Sequence, residues 1–374
     1  MKKNALVLNV GSSSLKYAVA RNRKIFFRGI IDHFGRHADI VQRVGNRRKH
    51  SVRAVPNLRA ALGIVRTTLV DLHSAPGVVA HRIVHGGERY AHPTQLSSSV
   101  VRYLQSVAEL APLHQRANLL GVAFAKRTWP QAAEWGVFDT AIYRGLPQNV
   151  RVYAIPRNIT KRLRIVKYGF HGTSHAWAFR QAAMKLHRPL RSFSAVTIHL
   201  GAGASMTLWQ RGRPMDTTMG FTPLEGLVMA TRSGSIDPEI PLFLQEKLGW
   251  SVRRVKQMLE YESGLKGLCG LHDMRDILGA AGHPVRGWPR RHWPPHVRVQ
   301  SRQALNVFLY HIRRTLAGYL GLLEQKDAVV FTGPIGENRI IRRLVLRNVP
   351  AARRVPHLTV PADEEQAILH ILRI

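Results

Sequence analysis

Short apolar runs separated by glycine-rich turns mark two similar places in the chain. Residues 5–20 read ALVLNVGSSSLKYAVA, an apolar run followed by a Gly/Ser turn and a second, alternating run. Residues 195–210 read AVTIHLGAGASMTLWQ and have the same form. Alternation of apolar and polar residues is typical of half-buried strands. The pattern therefore predicts two β-hairpins of one kind.

Sliding one hairpin over the other by 190 residues aligns Gly11 with Gly201 and Leu15 with Ser205. A strand, a glycine-containing turn and a return strand thus occur near the start of each half. We expect two related α/β domains that face each other across a cleft. The boundary between them is predicted near 145–155, where the pattern is interrupted.

Between the hairpins, longer periodic segments predict the remaining elements. Apolar spacings of three and four, typical of amphipathic helices, occur over 56–73, 97–110 and 300–323. Buried strands are predicted over 76–85, 134–139 and 327–332. Residues 280–296 combine proline, tryptophan and arginine without periodicity, which predicts a surface loop.

The composition is that of a folded protein with an unusual charge. Of 374 residues, 45% are hydrophobic and 21% charged, which excludes a disordered chain. Lys and Arg number 56 against 22 Asp and Glu, a formal net charge of +34. Such a surplus concentrates anions, whether small phosphates or nucleic acid. Because the basic residues are scattered, a solvated basic surface is the favoured explanation.

Cysteine usage and the N-terminus narrow the class of protein. A single cysteine, Cys269, excludes an internal disulfide framework and a zinc site built from cysteines. The first residues, MKKNALVLNVGSSS, hold an apolar stretch too short for a signal peptide or a membrane helix. These features predict a soluble, cytoplasmic protein of bacterial type.

The first hairpin turn carries groups suited to phosphate. Between Asn9 and Lys16 it offers backbone N–H groups, three hydroxyls and one ammonium. Gly11 permits the close backbone approach that phosphate binding requires. The spacing is not that of a Walker A motif, so an ordinary Gly/Ser hairpin remains an alternative.

Two pairs of histidines stand four residues apart: His81 with His85, and His171 with His175. This is metal-ligand spacing on a helix, but nearby glycines and preceding strand patterns argue against a helix at either place. On a strand, the same spacing still puts both histidines on one face. Because carboxylates are scarce nearby, arginine and histidine beside glycine favour an anion over a transition metal.

Acidic residues are scarce, so the few inside glycine-rich segments are informative. No Asp or Glu occurs between Asp139 and Asp216. The segment 216–238 then places Arg232 among small residues and carboxylates, and the turn 331–338 follows a buried strand. Loops at strand ends bind ligands in open α/β sheets. Both segments are therefore candidate parts of a binding site.

Ten sequence blocks, in order, resemble the acetate kinase family, which includes propionate kinases. From Asn9 to Glu365 they are NVGSSSLKY, HRIVHGGE, APLHQRANLLG, VFDTA, YGFHGTSH, HLGAGAS, DTTMGFTPLEGLVMATRSGSIDP, HDMRDI, FTGPIGEN and PADEE. The resemblance implies an α/β fold of two ribonuclease-H-like domains, as in actin-like ATPases, hinged around a nucleotide-binding cleft. It also implies an N-terminal domain of residues 1–149, joined by 363–374, and a C-terminal nucleotide-binding domain of residues 150–362.

The same resemblance implies reversible transfer of the γ-phosphate of ATP to acetate, giving acetyl phosphate and ADP. It implies Mg²⁺ or Mn²⁺ as the metal, ATP or ADP as the co-substrate, and a homodimer without membrane association. Two alternatives remain open. One is the same chemistry on propionate or another short carboxylate. The other is a degenerate kinase fold that binds nucleic acid or another polyanion through its charge; nonspecific nucleic-acid binding is also expected from that charge.

By resemblance, the site residues form four groups. The catalytic residues are Asp139, His171 and Arg232. The substrate-binding residues, which include the small pocket for the acyl methyl, are Arg82, Val84, Leu113, Phe170 and Pro223. The metal-binding residues are Asn9 and Glu364. The nucleotide-binding residues are Lys16, Ser12, Ser14, His199, Leu200, Gly201, Ala202, Gly203, Asp273, Met274, Arg275, Pro334, Ile335, Gly336, Glu337 and Asn338.

Three positions depart from the family pattern. Ala202 replaces an asparagine, Ser235 an aspartate and Pro334 a glycine. Proline lacks an N–H group and fixes φ at about −65°, so a turn that needs positive φ at position 334 has to be rebuilt. The chain also ends soon after Glu364, which predicts a short C-terminal helix.

Overall fold

The structure, a computed structural model, describes residues 4–11 and 14–374, except for the side chains of residues 112 and 113. The chain divides into two compact units. Unit 1 comprises the residues up to Arg144 together with Phe170–Ser174 and Asp363–Ile374; unit 2 comprises Gly145–Gly169 and His175–Ala362. The predicted ribonuclease-H-like domains, residues 1–149 with 363–374 and residues 150–362, remain a prediction.

An eight-stranded mixed sheet forms the centre of unit 1. Its strands are β1 (Asn4–Val10), β2 (Leu15–Arg21), β3 (Lys24–Asp32), β4 (Gly35–Val44), β5 (Arg47–Val55), β6 (Pro76–Ile83), β7 (Thr94–Gln95) and β8 (Ala133–Phe138). Their spatial order is β5-β4-β3-β2-β1-β6-β8-β7. From β1 to β5, neighbours are antiparallel, whereas β6 and β8 run parallel to β1.

Four helices belong wholly to unit 1. They are α1 (Leu58–Asp71), α2 (Ser98–Ser106), α3 (Pro112–Thr128) and the C-terminal α13 (Glu364–Leu372). The side chains of Asn57 and Ser97 accept hydrogen bonds from first-turn N–H groups of α1 and α2, which fixes where these helices begin. Among the described residues, no helix combines the length and apolar character that crossing a membrane requires.

Alternating residues of β1 face the two sides of the sheet. Leu6 and Leu8 pack in a cluster with Leu62 of α1. Val7, on the opposite face, packs in a cluster with Leu369 of α13. Small alanines on β1, β2 and β6 share that second cluster, which leaves room for the helix. Burial of one face of α13 therefore holds its acidic first turn against the sheet.

Unit 2 is built on a five-stranded mixed sheet. Its strands are β9 (Ala195–Leu200), β10 (Ala204–Gln210), β11 (Arg213–Thr217), β12 (Ala328–Thr332) and β13 (His357–Thr359), in the order β11-β10-β9-β12-β13. Its helices are α4 (Gln148–Arg151), α5 (Arg157–Leu163), α6 (Gly172–Lys185, its first three residues in unit 1), α7 (Glu239–Leu248), α8 (Val252–Gln257), α9 (Gly264–Cys269), α10 (Met274–Ala280), α11 (Pro295–Leu322) and α12 (Arg339–Arg347). Buried β9 and β12 are parallel central neighbours.

Both units contain the same five-strand arrangement, which confirms the predicted duplicated α/β fold. Strands β3-β2-β1-β6-β8 match β11-β10-β9-β12-β13 in order and direction. Val10 pairs with Leu15 in the first hairpin, and Leu200 pairs with Ala204 in the second. The second turn is thus one residue shorter. The predicted alignment of Leu15 with Ser205 is therefore wrong by one residue.

The predicted helices and strands outside the hairpins are confirmed with small shifts of their ends. The segments 56–73 and 300–323 correspond to α1 and α11, and 97–110 to α2 with a following 3₁₀ turn. The three predicted strands correspond to β6, β8 and β12. The predicted surface loop is the non-helical stretch 281–294 between α10 and α11.

The prediction for the two histidine pairs was only partly correct: no helix carries His81 and His85, as expected, but the rest was wrong. His85 lies beyond the end of β6, so it does not share a strand face with His81. His175 lies inside α6, where no helix was expected. Gly172 begins that helix, and a Cβ there would lie 2.0 Å from the carbonyl oxygen of Asp139. The glycine therefore reflects close packing against a distant loop and not a break in the helix.

Two glycines of unit 1 predict opposite effects of one substitution. A Cβ at Gly29 of β3 would lie 2.1 Å from Cε1 of the buried ring of Tyr17, whereas a Cβ at Gly63 of α1 would meet nothing within 4 Å. We expect Gly29→Ala to lower the free energy of unfolding by about 1–3 kcal/mol through overpacking. Gly63→Ala should raise it by about 0.5–1 kcal/mol, because alanine favours a helix. Urea denaturation measures both; changes of the same sign would contradict the packing described.

Candidate active site

A buried guanidinium lies among oxygen atoms at one edge of the sheet of unit 1. Arg82 donates to Oδ2 of Asp139 from Nε (3.0 Å) and Nη2 (2.6 Å). Its Nη1 donates to Oδ1 of Asn9 (3.1 Å) and Oε2 of Glu364 (3.0 Å). Burial works against the charge, but the carboxylates of Asp139 and Glu364 outweigh it and raise the pKa of Arg82. The cation is therefore held permanently charged.

The strand arrangement brings these side chains together. Asn9 and Arg82 each lie one residue before the end of their strands, β1 and β6, and Asp139 directly follows β8. These three parallel strands are neighbours, so their carboxyl ends meet at one edge of the sheet. Thr173 Oγ1 donates to Oδ1 of Asp139 at 2.8 Å, which completes the bonding of that buried carboxylate.

The first turn of α13 supplies more acidic groups. Nδ2 of Asn9 donates to Oε2 of Glu364 (2.6 Å) and Oε1 of Glu365 (3.1 Å). Arg28 of β3 pairs with Asp363 at 2.6 Å and with Glu365 at 3.4 Å. Burial raises the pKa of Glu365, and the negative charge of Glu364 adds to the shift. The helix end is thus tied to two strands by amide and guanidinium donors.

The donor atoms beside Asn9 fit a divalent cation that prefers oxygen ligands. Oδ1 of Asn9 and Oε2 of Glu364 both accept from one nitrogen of Arg82, so they converge on a single point where positive charge is stabilised. Within residues 4–11 and 14–374, no group of three or more His, Cys, Asp or Glu could hold a metal by itself. Mg²⁺ commonly takes only one or two protein oxygens and completes its shell with phosphates and water. The residues present suit that type of site.

His171 has a strained backbone beside this cluster. Its φ is +58°, in the left-handed region that costs most residues about 1–3 kcal/mol. The neighbours hold it there. Phe170 is buried and its carbonyl accepts from Tyr143 Oη (3.1 Å), while the N–H of Gly172 donates to the carbonyl of Asp139 (3.1 Å). The backbone at His171 is thereby fixed to the loop that carries Asp139.

The predicted acyl-pocket residues fall in different parts of the chain. Val84 follows β6, and its N–H donates to Oδ1 of Asn118 at 2.9 Å. The ring of Phe170 meets that of His85 edge-on, with centroids 5.7 Å apart, inside unit 1. The side chain of Leu113 lies outside the described residues. Pro223 belongs to unit 2.

Unit 2 holds a second, partly buried arginine with a different environment. Nη1 of Arg232 donates to the carbonyl of Pro223 at 2.8 Å. The described residues give its guanidinium this backbone acceptor and no carboxylate ion pair. Burial lowers the pKa of Arg232, which Glu260 and Tyr261 only partly offset. A desolvated cation of this kind is poised for an anionic ligand.

Ser235, which replaces the aspartate of the family pattern, is hydrogen-bonded to the loop that contains Gly226. Ser235 Oγ accepts from the N–H of Gly226 at 3.0 Å, and its own N–H donates to the carbonyl of Gly226 at 3.0 Å. Gly226 has a φ of +109°, which favours glycine. A hydroxyl therefore supplies the acceptor that this turn requires.

The turn after β12 accommodates Pro334 without positive φ at that position. Gly333 takes the positive φ, +81°. The N–H groups of Ile335 and Gly336 donate to the carbonyl of Leu200 (2.9 and 3.1 Å), and that of Glu337 to Gly333 (2.8 Å). Pro334 is thus the first residue of a helical turn, where its missing N–H costs little. The positive φ lies at Gly333, so the turn can contain a proline at position 334.

The other predicted nucleotide residues lie on loops, strands and helix ends of the two units. Lys16 is exposed on β2 opposite Asn9, and His199 is nearly buried on β9 opposite Ser205. Ala202 is exposed and its carbonyl accepts from the N–H of Ala230 at 3.2 Å. Ser12 lies outside the described residues. Those described in the turns and helix ends are Ser14, Gly201, Gly203, Asp273, Met274, Arg275 and Asn338.

Comparison with known proteins identifies the family. The profile of the Acetokinase family matches residues 4–353. An acetate kinase of Pseudarthrobacter chlorophenolicus is 38% identical, with 97% of this chain and 96% of that protein covered. This chain belongs to the acetokinase family.

Solved structures of similar proteins agree with that assignment. A propionate kinase of Francisella tularensis superposes with a TM-score of 0.89 at 29% identity, covering 99% of this acetokinase and 98% of that chain. An acetate kinase of Porphyromonas gingivalis superposes with a TM-score of 0.82 at 28% identity, covering 99% and 100%. The fold is therefore shared along the whole length of the chain.

Three residues of the acetokinase cluster were missed at the sequence level. They are Thr173, Glu365 and Arg28. The first two lie in the quoted blocks YGFHGTSH and PADEE, so the motif itself was an available signal. Arg28 had only a weak signal, as a basic residue at a position of β3 between apolar neighbours. Its partners are more than three hundred residues away in sequence.

Buried His85 predicts acid-sensitive stability. Burial lowers its pKa to about 4. Because the unfolded chain binds this proton below pH 6.5 and the folded chain does not, stability is complete above pH 6.5 and is lost as the pH falls toward 4. We expect His85→Asn, which keeps an acceptor for the N–H of Gly87, to remove about 3 kcal/mol of that loss.

Urea denaturation of both proteins between pH 4 and 7 measures this difference. Curves of stability against pH that run parallel for wild type and His85→Asn would contradict the assignment of a neutral, buried imidazole.

Proposed function

We propose that this acetokinase transfers the γ-phosphate of ATP to acetate, reversibly, giving acetyl phosphate and ADP, with Mg²⁺ as the metal. Membership of the family supports a phosphotransferase with a carboxyl acceptor. The observation that carries the proposal is the cluster of Asn9, Arg82, Asp139 and Glu364 in unit 1. It joins a persistent cation to oxygen ligands of the kind that Mg²⁺ prefers.

Charge is the main obstacle in this reaction. Acetate is already an anionic nucleophile, so removing a proton contributes little, and two anions have to be brought together. Arg232 supplies positive charge from a desolvated position, where its Nη1 donates to the carbonyl of Pro223. Such a group strengthens its interaction with the phosphoryl oxygens as their charge develops. When bound at Asn9 and Glu364, Mg²⁺ supplies further neutralisation of phosphate.

Arg82 has two kinds of contacts that can be used separately. Nε and Nη2 stay on Asp139, whose position is fixed by Thr173. Nη1 can leave Asn9 and Glu364, which frees one donor for the substrate carboxylate and frees both oxygens for a metal. In this scheme Asp139 is the group that orients Arg82. Its carboxylate accepts hydrogen bonds from Arg82 and Thr173.

His171 is proposed to donate a hydrogen bond to the transferring phosphoryl group. Its left-handed backbone and the bond from Gly172 to Asp139 support this role, because they fix the main chain at His171 to the loop that carries Asp139. The turn at Gly333 and the turn at Gly201 are proposed to contact ATP, and in the second turn the backbone N–H groups of Ala202 and Gly203 are the proposed donors. Backbone donors of this type tolerate Ala202, since they do not depend on its side chain.

Propionate is a second candidate acceptor, favoured by the superposition on the Francisella tularensis propionate kinase. The proposed acyl pocket contains Val84, Phe170, Pro223 and Leu113. One methylene in an apolar pocket changes discrimination by only about 1–3 kcal/mol. The same site can therefore act on both acids with different efficiency.

A homodimer, a cytoplasmic location and nonspecific nucleic-acid binding remain predictions from the sequence. One observation supports the last of these. Arg28, Arg43 and Arg48 stand directly opposite one another across β3, β4 and β5. Like charges in such positions repel, so an anion near Arg43 and Arg48 would relieve the repulsion.

Removal of the Arg232 guanidinium tests the proposed reaction. We expect Arg232→Ala to lower the rate of acyl phosphate formation by about 10²–10³, because one charge-stabilising contact is lost. Arg253→Ala, at an exposed position of α8, is the matched control and should retain wild-type rates. A hydroxamate assay with ATP, Mg²⁺ and either acetate or propionate gives the measurement.

Wild-type rates no higher than those of Arg232→Ala, with both acids, would rule out the proposed function. A higher kcat/KM for propionate than for acetate would instead favour the second candidate.

A further inference from the structure

The loop 281–294 covers one face of an arginine in the predicted nucleotide segment. Cζ of Arg275 lies 3.5 Å from the ring centroid of Trp288. The indole is itself held, because its Nε1 donates to Oδ1 of Asp276 at 2.8 Å. Arg291 pairs with the other carboxylate oxygen of Asp276 at 3.2 Å. Guanidinium and indole thus form a stacked pair fixed to α10.

The edges of the same guanidinium are also bound. Nε and Nη2 of Arg275 donate to Oδ1 and Oδ2 of Asp273 at 3.0 and 2.6 Å. The backbone N–H of Arg275 donates to Asp273 as well, at 2.8 Å. Hydrogen bonding to Arg275 lowers the pKa of Asp273, and hydrogen bonding to Asp273 raises that of Arg275. Even so, the Arg275 side chain is 49% exposed.

These contacts leave one flat face of the guanidinium available. An arginine side chain has many rotamers, and fixing it beforehand lowers the cost of binding a ligand in one geometry. Guanidinium planes stack on nucleobases as well as on aromatic side chains. A cavity of about 310 Å³ beside the pair is lined by further indole and guanidinium groups, including Trp293 and Arg290. The chemistry at this place suits a planar aromatic ligand that carries negative charge.

We propose that Trp288 is a positioning residue for the nucleotide, which holds the guanidinium of Arg275 flat so that its open face stacks on the base of ATP. This inference rests on the proposed function, because it takes Asp273–Arg275 as part of the nucleotide site. Trp288 acts through Arg275 and need not touch the nucleotide. The loop 281–294 thereby becomes a determinant of nucleotide affinity and not only a surface connection.

Isothermal titration with Mg·ATP tests the role of the indole. Trp288→Ala should weaken binding by about three- to tenfold, the loss expected for one cation–π contact. KM for ATP should rise by a similar factor, while kcat and KM for acetate stay within about twofold. Trp288→Phe keeps an aromatic face and should recover most of the affinity, although it cannot donate to Asp276.

Trp250→Ala is the matched control. Its ring centroid lies 4.2 Å from Cζ of Arg254, in an indole–guanidinium pair outside the predicted nucleotide segments. Its removal should leave ATP affinity unchanged. Inorganic tripolyphosphate provides a second control, because it has no base to stack. Its affinity should be equal in the wild type and Trp288→Ala.

Wild-type ATP affinity in Trp288→Ala would overturn the inference. So would equal losses for Trp288→Ala and Trp250→Ala, or an equal loss of tripolyphosphate binding, since either would indicate an effect that does not depend on stacking of the base on Arg275. A failure of the proposed function has a different signature: the wild type binds ATP but forms no acyl phosphate.

Discussion

The ion pair between Arg82 and Asp139 is the interaction on which the rest of the site depends. Removing a guanidinium and a carboxylate from water costs several kcal/mol for each ion, and only complete hydrogen bonding repays that cost. Asn9 and Glu364 satisfy one side of Arg82, and Thr173 satisfies the remaining side of Asp139. The ends of β1, β6 and β8 and the starts of α6 and α13 are therefore tied to one buried charge pair.

The two arginines of the proposed mechanism are prepared in opposite ways. Arg82 is surrounded by acids, which raise its pKa and hold it charged. Arg232 is bound to a carbonyl, and burial lowers its pKa. In the proposed mechanism, Arg82 exchanges Asn9 and Glu364 for the substrate carboxylate. Arg232 offers its charge to an anion. The chain has only 22 acidic residues, and three of them, Asp139, Glu364 and Glu365, lie together at one sheet edge around Arg82 and Asn9.

Much of the fold could be predicted from the sequence, because hydrophobic periodicity is a local property. The duplicated hairpins and the helices α1 and α11 follow from spacing alone. What failed depends on distant contacts. The helix that contains His175 was missed because Gly172 was taken as evidence against a helix. In the structure this glycine begins the helix, and a Cβ at its position would clash with the carbonyl oxygen of Asp139. Similarly, the tolerance of Pro334 depends on hydrogen bonds to Leu200.

The site was predicted less completely than the fold. Motif resemblance named Asn9, Arg82 and Asp139, which the structure brings together in unit 1. The burial of Glu365 depends on how α13 packs over the sheet, and no local pattern contains that information. The stacking of Trp288 on Arg275 likewise depends on the path of an aperiodic loop.

A double-mutant cycle on Arg82 and Asp139 tests the central claim most directly. Free energies of unfolding in urea are measured for wild type, Arg82→Met, Asp139→Asn and the double variant. Each single change should cost about 3–5 kcal/mol, because it removes the principal charged partner of the group that remains. The double change should cost about 2–3 kcal/mol less than their sum. Strictly additive costs would contradict the account, because they would mean that the two groups do not stabilise each other.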